Sequence, residues 1–437
     1  SVALAVSAAL LAAAMASPAT AAKPNKVKEI QPGRPGSNPV YLTRVRGKIF
    51  FSAQTRKRGR ELYVSRGTAK STRRVKDIKR GRASSDPKGL LNVGARLYFA
   101  ANGTQLWTST GSAASTKKIK NTGVSNPPKA AMGGRLYFKA SDGLWVTDGT
   151  QAGTKRIHTV QVGSVMHAAG DTLYFAGSDA AAGTELWKSD GTSGGTKRVR
   201  DINSGPGSSM RSCSRMANIG STLFFSASED SDQCAALFKS DGTAAGTKRL
   251  TNHAVASEYP KRLTPVGDTL FFVAQNWNVG EELFKSDGTP GGTVLVKDIE
   301  PAHRDGSGPD DLTAMGGKLY FAATTDAKGR ELWVSDGTEA GTKLVKDHFK
   351  GGSYGSPEGL VATSDGLLFY GPVTGKYGRE PWKSRGTGAS SRLVKDIFPG
   401  RRGSFRDCST CTVAVGRTVY FVALTGASGY ELWRWKR

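Results

Sequence analysis

Two carboxylates five positions apart, Glu331 and Asp336, open the stretch 331-ELWVSDGTEAGTKLVKDH-348 and flank an aromatic residue. Alone, they read as a carboxylate site, either catalytic or calcium-binding. The stretch is not alone, however. Asp-Gly recurs at Asp148, Asp190, Asp241 and Asp287 in the same surroundings, and Arg66, Thr110 and Arg385 stand in the Asp position of other copies. A calcium loop converges several oxygens, whereas each of these turns offers one carboxylate. Asp-Gly is a strong hairpin signal, since Gly accepts positive φ and Asp bonds its own backbone. The Asp is therefore expected to be a turn former. The recurrent Glu before the leucine-aromatic pair (Glu61, Glu185, Glu282, Glu331, Glu380 and Glu431) is expected to pair with a neighbouring basic group.

Other candidates are sparse. The five histidines (His158, His167, His253, His303, His348) are scattered along the chain. Two acidic clusters, Glu229-Asp230-Ser231-Asp232 and Asp305 with Asp310-Asp311, read first as exposed acidic loops and second as weak calcium candidates. With the segment around Trp277, they are the nearest approach to a catalytic break in the pattern. No cofactor is expected. The four cysteines, in an exported chain, are expected to form two disulfides, Cys213 with Cys234 and Cys408 with Cys411. Zinc fits poorly, because only one Cys-x-x-Cys is present and no histidine lies near Cys408.

The elements that carry these residues repeat. An apolar-aromatic triplet occurs nine times, from Ile49-Phe50-Phe51 through Leu97-Tyr98-Phe99 to Val419-Tyr420-Phe421, at spacings of 37 to 51 residues. A leucine-aromatic pair follows each triplet, as in Leu62-Tyr63 and Leu332-Trp333, with Pro381-Trp382 as a degenerate copy. A basic VKDI-like strand then follows at Val75, Val199, Val296, Val345 and Val394, with variants elsewhere. Each unit reads as four short strands, A to D. Four-stranded units repeated at this period imply an all-β ring, a single β-propeller of nine blades, with eight as the alternative. The final unit stops at ELWRWKR without a basic strand, while Val27-Lys28-Glu29-Ile30 supplies one before the first unit. The N-terminal strand is therefore expected to complete the last blade and close the ring.

ELWxSDGTxxGTxxVKDI resembles the ELWxxDGT repeat of bacterial exported proteins, which is related to hyalin-type repeats. The likeness covers nearly the whole chain after residue 22. It implies a secreted or surface-exposed propeller-like protein and carries over no catalytic residues.

Residues 1–22, Ala-rich and ending in Pro18-Ala19-Thr20-Ala21-Ala22, read as the apolar core and cleavage site of a secretory signal peptide. The propeller then occupies residues 23–437. The net charge of +26 and pI near 10.0 favour an anionic partner. Lys or Arg recurs on strand D of nearly every unit, where it also guards an exposed edge. Loops between strand D and the next strand A carry Arg34, Arg80, Arg82, Lys350, Arg401, Arg402 and Arg406, all on one face of the ring. The expected function is a monomeric, non-enzymatic binding or adhesion scaffold for a cell-wall polymer, polysaccharide or extracellular DNA, with a surface protein as a further partner and no transmembrane span expected beyond the signal peptide. The alternative is a propeller hydrolase or lyase acting on a glycan.

Overall fold

The structure, a computed structural model, describes residues 23–121, 129–230, 236–251, 258–302, 304–348, 357–371, 377–400, 402–405 and 410–436. The described residues form nine four-stranded antiparallel sheets. Blades 1 to 8 span residues 40–74, 88–121, 129–158, 161–200, 216–249, 258–297, 310–346 and 358–393. Blade 9 combines residues 412–436 with the N-terminal strand Asn25–Lys28. Nine blades it is, not eight, and the ring closes as the sequence implies: Asn25 pairs with Arg434, and Lys28 with Leu432.

The aromatic triplets sit on strand B, where both faces are covered. Ile49, Phe50 and Phe51 are each fully buried. A strand with one wet face would alternate apolar and polar residues, whereas a strand between two neighbours reads as a continuous apolar run. Each blade is such a strand set, packed between the blades before and after it. Phe50, Leu62 and Val75 of blade 1 thus share a cluster with Leu97, Phe99 and Trp107 of blade 2. The same packing joins blade 9 to blade 1 through Val27, Leu432, Tyr420, Ile49 and Phe51. Aromatic rings of strands B and C stack within a blade, as for Phe99 and Trp107 at 6.5 Å and Phe421 and Trp433 at 6.4 Å. The rings of these pairs are buried and fill inter-blade space.

Strand alternation fixes two faces. The A–B turns and C–D hairpins lie on one, called here the hairpin face. The B–C turns and D–A connections lie on the other, the loop face. Strands A are innermost. In blades 1, 2, 6, 7 and 8 they share a bulge at a repeated position, with Tyr41, Gly89, Arg262, Asp311 and Gly359 at positive φ, and blade 6 has a second one at Tyr259. A bulge of this kind bends its strand and raises local twist, which suits strands curving about the ring axis. No helix among the described residues is long and apolar enough to cross a membrane.

Candidate anion-binding sector

The carboxylates that opened the sequence reading are part of the frame. Asp336 Oδ1 accepts from Thr338 N at 2.9 Å and Thr338 Oγ1 at 2.7 Å. Thr338 Oγ1 in turn accepts from Gly341 N. Asp148, Asp190, Asp241 and Asp287 repeat these bonds, and the Thr bonds hold all five carboxyls below the usual range. Gly341 is required here, because a Cβ on it would fall 1.9 Å from Asp336 Oδ1. Where the Asp is missing, that glycine is a serine. Ser71 Oγ accepts from Arg66 N and Thr68 N, each at 3.1 Å, in the place of the carboxylate. Ser115 does this for Thr110 and Ser112, and Ser390 for Arg385 and Thr387. Asp with Gly, or another residue with Ser, are two interchangeable ways to hold one hairpin.

The strand-C glutamates overturn an expectation. All six are fully buried, and five of them, instead of pairing with a basic neighbour, grip the D–A loop. Glu431 accepts from Ile30 N, Gln31 N, Ser37 N and Ser37 Oγ. Glu61 accepts from Ile78 N, Lys79 N and Ser85 Oγ. Glu185, Glu282 and Glu380 do the same toward Ser209, Ser307 and Ser404. Burial raises the carboxyls of Glu61, Glu185, Glu380 and Glu431 and takes Glu282 to about 7. A buried carboxylate can replace hydration with several N–H and O–H donors at once, so one side chain fixes a whole loop.

Glu331 departs from this pattern. His348 stands where other blades have Ile78, Ile202, Ile299 or Ile397, and its Nδ1 lies 2.9 Å from Glu331 Oε2. The two side chains are 3% and 1% exposed, and the imidazole lies edge-on to Trp382 at 5.3 Å. Sequence reading passed over this break in the repeat because the VKDH copy was counted with the VKDI ones. Sealed in the core, the pair cannot meet a polymer.

The strand-D basic residues divide by position. Where strand D carries a lysine or arginine at the position after its Val (Lys28 in the N-terminal strand), that residue ties its blade to the next, at six of the nine junctions among the described residues. Lys76 Nζ donates to Thr116 O at 3.0 Å, Arg200 to Thr247 O at 2.8 Å, Lys297 to Thr342 O at 3.4 Å and Lys346 to Ser391 O at 3.3 Å. Lys395 reaches Pro24 O at 3.0 Å and Lys28 reaches Thr72 O at 3.0 Å, carrying the pattern across the ring closure. The middle position often forms an ion pair inside its own blade, as Arg156 with Asp142, Arg198 with Asp179 and Arg249 with Glu229. Only the first position, for example Lys117, Lys197 and Lys343, is consistently exposed.

The expected loop-face cations are placed as follows. Arg34, Arg80, Arg82 and Arg402 are exposed, on the loops entering blades 1, 2 and 9, which are consecutive in the ring. Arg34 Nε is held by Gly426 O at 3.0 Å. Lys350, Arg401 and Arg406 lie outside the described residues. Two of the acidic candidates have structural partners for their carboxylates: Asp310 pairs with Arg262 at 2.9 Å, and Asp311 Oδ2 accepts from Gly359 N at 2.7 Å. Among the described residues no three His, Cys, Asp or Glu side chains form a metal-holding group. Neither Cys213 nor Cys411 is a free thiol, and their expected partners Cys234 and Cys408 lie outside the described residues, as do residues 1–22, the expected signal peptide. Trp277 is exposed on the B–C turn of blade 6.

Charge is not spread evenly around the ring. Residues 40–121, blades 1 and 2 with their connecting loop, hold 20 Lys and Arg against 3 Asp and Glu, a net +17. Residues 216–346, blades 5 to 7, hold 13 against 18, a net −5. Counting charge per repeat, rather than per chain, would have shown this from sequence. The basic sector reaches both faces. Arg80 and Arg82 stand on the loop face and Arg46, Lys48 and Arg66 at the hairpin face, with Lys117 and Lys118 on the outer strand between them.

No protein-family model matches the chain, and no curated protein matches it. Similar solved structures include the computationally designed Ika8 protein, at TM-score 0.46 and 12% identity, over 81% of this chain and 97% of that one. A prolyl endopeptidase matches at TM-score 0.42 and 12% identity, over 76% of this chain and 52% of that one. The acylaminoacyl peptidase of Pyrococcus horikoshii matches at TM-score 0.34 and 14% identity, over 72% and 52%. The chain spans about half the length of the two peptidases. At these scores and identities no activity passes from them to this chain.

Proposed function

We propose that this protein is a non-enzymatic, exported binding scaffold for an anionic extracellular polymer, which it meets through blades 1 and 2. The observation that carries this reading is the +17 gathered on residues 40–121, out of +26 for the whole chain. A field concentrated in one sector raises the local concentration of a polyanion and orients its approach, whereas the same charge spread around a rim would chiefly serve solubility. The repeat's resemblance to ELWxxDGT proteins supports export. The carboxylates nearest to a catalytic pattern are engaged in holding hairpins and loops, which favours binding over turnover.

The test is elution from immobilised heparin and polyphosphate. Retention at about 50 mM salt that falls steeply by about 200 mM is the expected result, because released counterions and screening dominate such contacts. Flow-through at the lower salt on every anionic matrix would overturn the reading, and turnover of a glycan panel would favour the enzyme alternative.

A further inference from the structure

We propose that the cleft between blades 1 and 2 on the hairpin face is a discrete oxyanion site, for a phosphate or sulfate-ester group. The ligand class rests on the polyanion reading above; the location rests on the cleft alone. The cleft encloses about 180 Å³ and is lined by Lys48, Val64, Arg66, Ser71, Arg73 and Gly111. Three of the six are cations, and none is a carboxylate.

Two of the cations are positioned by the partner blade's backbone. Lys48 Nζ donates to Thr110 O at 2.9 Å, and Arg73 Nη2 donates to Gly111 O at 2.8 Å. Carbonyls orient these heads without neutralising them. Arg66 adds the third charge, on a hairpin that Ser71 holds in its turn geometry without an Asp. Burial, then Arg66, Arg73 and Arg46, push the Lys48 ammonium below its ordinary range, as expected where like charges converge without a counterion. Guanidinium forks with an ammonium beside them match the oxygens of a tetrahedral anion.

Comparison with the other interfaces shows what is special. The hairpin Asp elsewhere interacts electrostatically with a cation, as Asp241 does with Lys188, Asp287 with Lys239 and Asp148 with Arg135. At blades 1 and 2 the acid is gone from both hairpins, replaced by Arg66 and Thr110. The cleft between blades 7 and 8 is larger, about 590 Å³, and holds Lys318, Lys343 and Arg385, but there the blade 7 hairpin carries Asp336, whose charge interacts with that of Lys318. Of these two clefts, the one between blades 1 and 2 lacks a carboxylate on both its hairpins.

Because the hairpin has two interchangeable forms, substitutions can be chosen that it already tolerates. Arg66→Thr reproduces blade 2, which has Thr with Ser. Arg66→Asp with Ser71→Gly reproduces blade 7, which has Asp with Gly. Lys197→Glu, exposed on blade 4, changes charge away from the cleft. Inorganic phosphate and inorganic sulfate are titrated calorimetrically into the four proteins, with thermal unfolding as the folding check. The expected result is binding by the native protein, weakened at least about tenfold by Arg66→Thr, abolished in the double variant, and changed less than about twofold by Lys197→Glu. Equal affinity in native protein and Arg66→Thr, equal weakening by Lys197→Glu, or no anion binding by the native protein overturns the site. These outcomes separate from the polymer reading. Heparin retention with Arg66-independent phosphate binding sinks the cleft alone; Arg66-dependent phosphate binding without heparin retention sinks the polymer alone.

Discussion

In blade 1 the C–D hairpin reads Ser65-Arg66-Gly67-Thr68 and is held by Ser71; in blade 7 it reads Ser335-Asp336-Gly337-Thr338 and closes on Gly341. The backbone bonds are equivalent, yet one hairpin displays a cation and the other an anion. The same contrast holds for the sectors around them, +17 over residues 40–121 and −5 over residues 216–346. Both sectors keep the buried strand-C glutamate and the lysine that ties one blade to the next. The comparison teaches that this fold separates its frame from its surface. Residues that hold a blade are repeated, while those that give it a character vary without disturbing the frame.

The strongest way to break that separation is to strike the frame in both sectors. Glu282→Ala leaves Glu300 N, Ser307 N and Ser307 Oγ without their acceptor, and Glu61→Ala does the same to Ile78 N, Lys79 N and Ser85 Oγ. Unmet buried donors cost about 1–3 kcal/mol each, so both variants are expected to lose roughly 3–5 kcal/mol in urea unfolding, by similar amounts. A large loss in one sector and none in the other would show that the frame is not common to both.

pH sharpens the comparison at the same position. Burial raises Glu282 from 4.5 to about 7 and Glu61 in the same direction. A carboxyl raised in the folded state binds its proton more tightly there than in the unfolded chain. Its contribution is therefore fully present below pH 4.5 and is lost as pH rises through about 7, by up to about 1.4 kcal/mol per pH unit. Thermal unfolding is expected to shift down between these pH values, and Glu282→Gln is expected to flatten that slope more than Glu61→Gln. An unchanged slope in Glu282→Gln would contradict the assignment.

The smallest effects belong to the inter-blade lysines. Lys76→Met removes a bond of 3.0 Å and Lys297→Met one of 3.4 Å. Losses of about 1–2 kcal/mol are expected for the first and less for the second, measured by denaturant midpoint at constant m-value.

How much of this could be read from the chain follows from what each feature needs. The blades and the ring closure were legible because strands covered on both faces write uninterrupted triplets, and because Val27–Ile30 matches a strand that the last unit lacks. The glutamate grip was not, since most of its donors are backbone N–H groups, 17 to 25 residues away within the chain and about 400 away at the ring closure, which no side chain announces. Its one trace was the recurring Ser85, Ser209, Ser307 and Ser404. The lysine ties were hidden likewise, because they end on carbonyls of another blade. Arg34, Arg80, Arg82 and Arg402 could be placed on D–A loops from the chain alone, but the cleft at Arg66 was missed. Arg66, Thr110 and Arg385 were read only as tolerated exceptions to the Asp, and the paired change at Ser71, Ser115 and Ser390 went unweighed.

The central claim, that one sector and not total charge makes the binding surface, is tested by two variants with equal charge change. One reverses Arg80, Arg82, Lys117 and Lys118 to Glu; the other reverses Lys197, Lys248, Lys318 and Lys343, which are equally exposed on blades 4, 5 and 7. Both are eluted from heparin by a salt gradient beside the native protein. The account predicts that the first variant flows through at about 50 mM salt while the second keeps most of the native retention. Equal loss of retention in the two would contradict it.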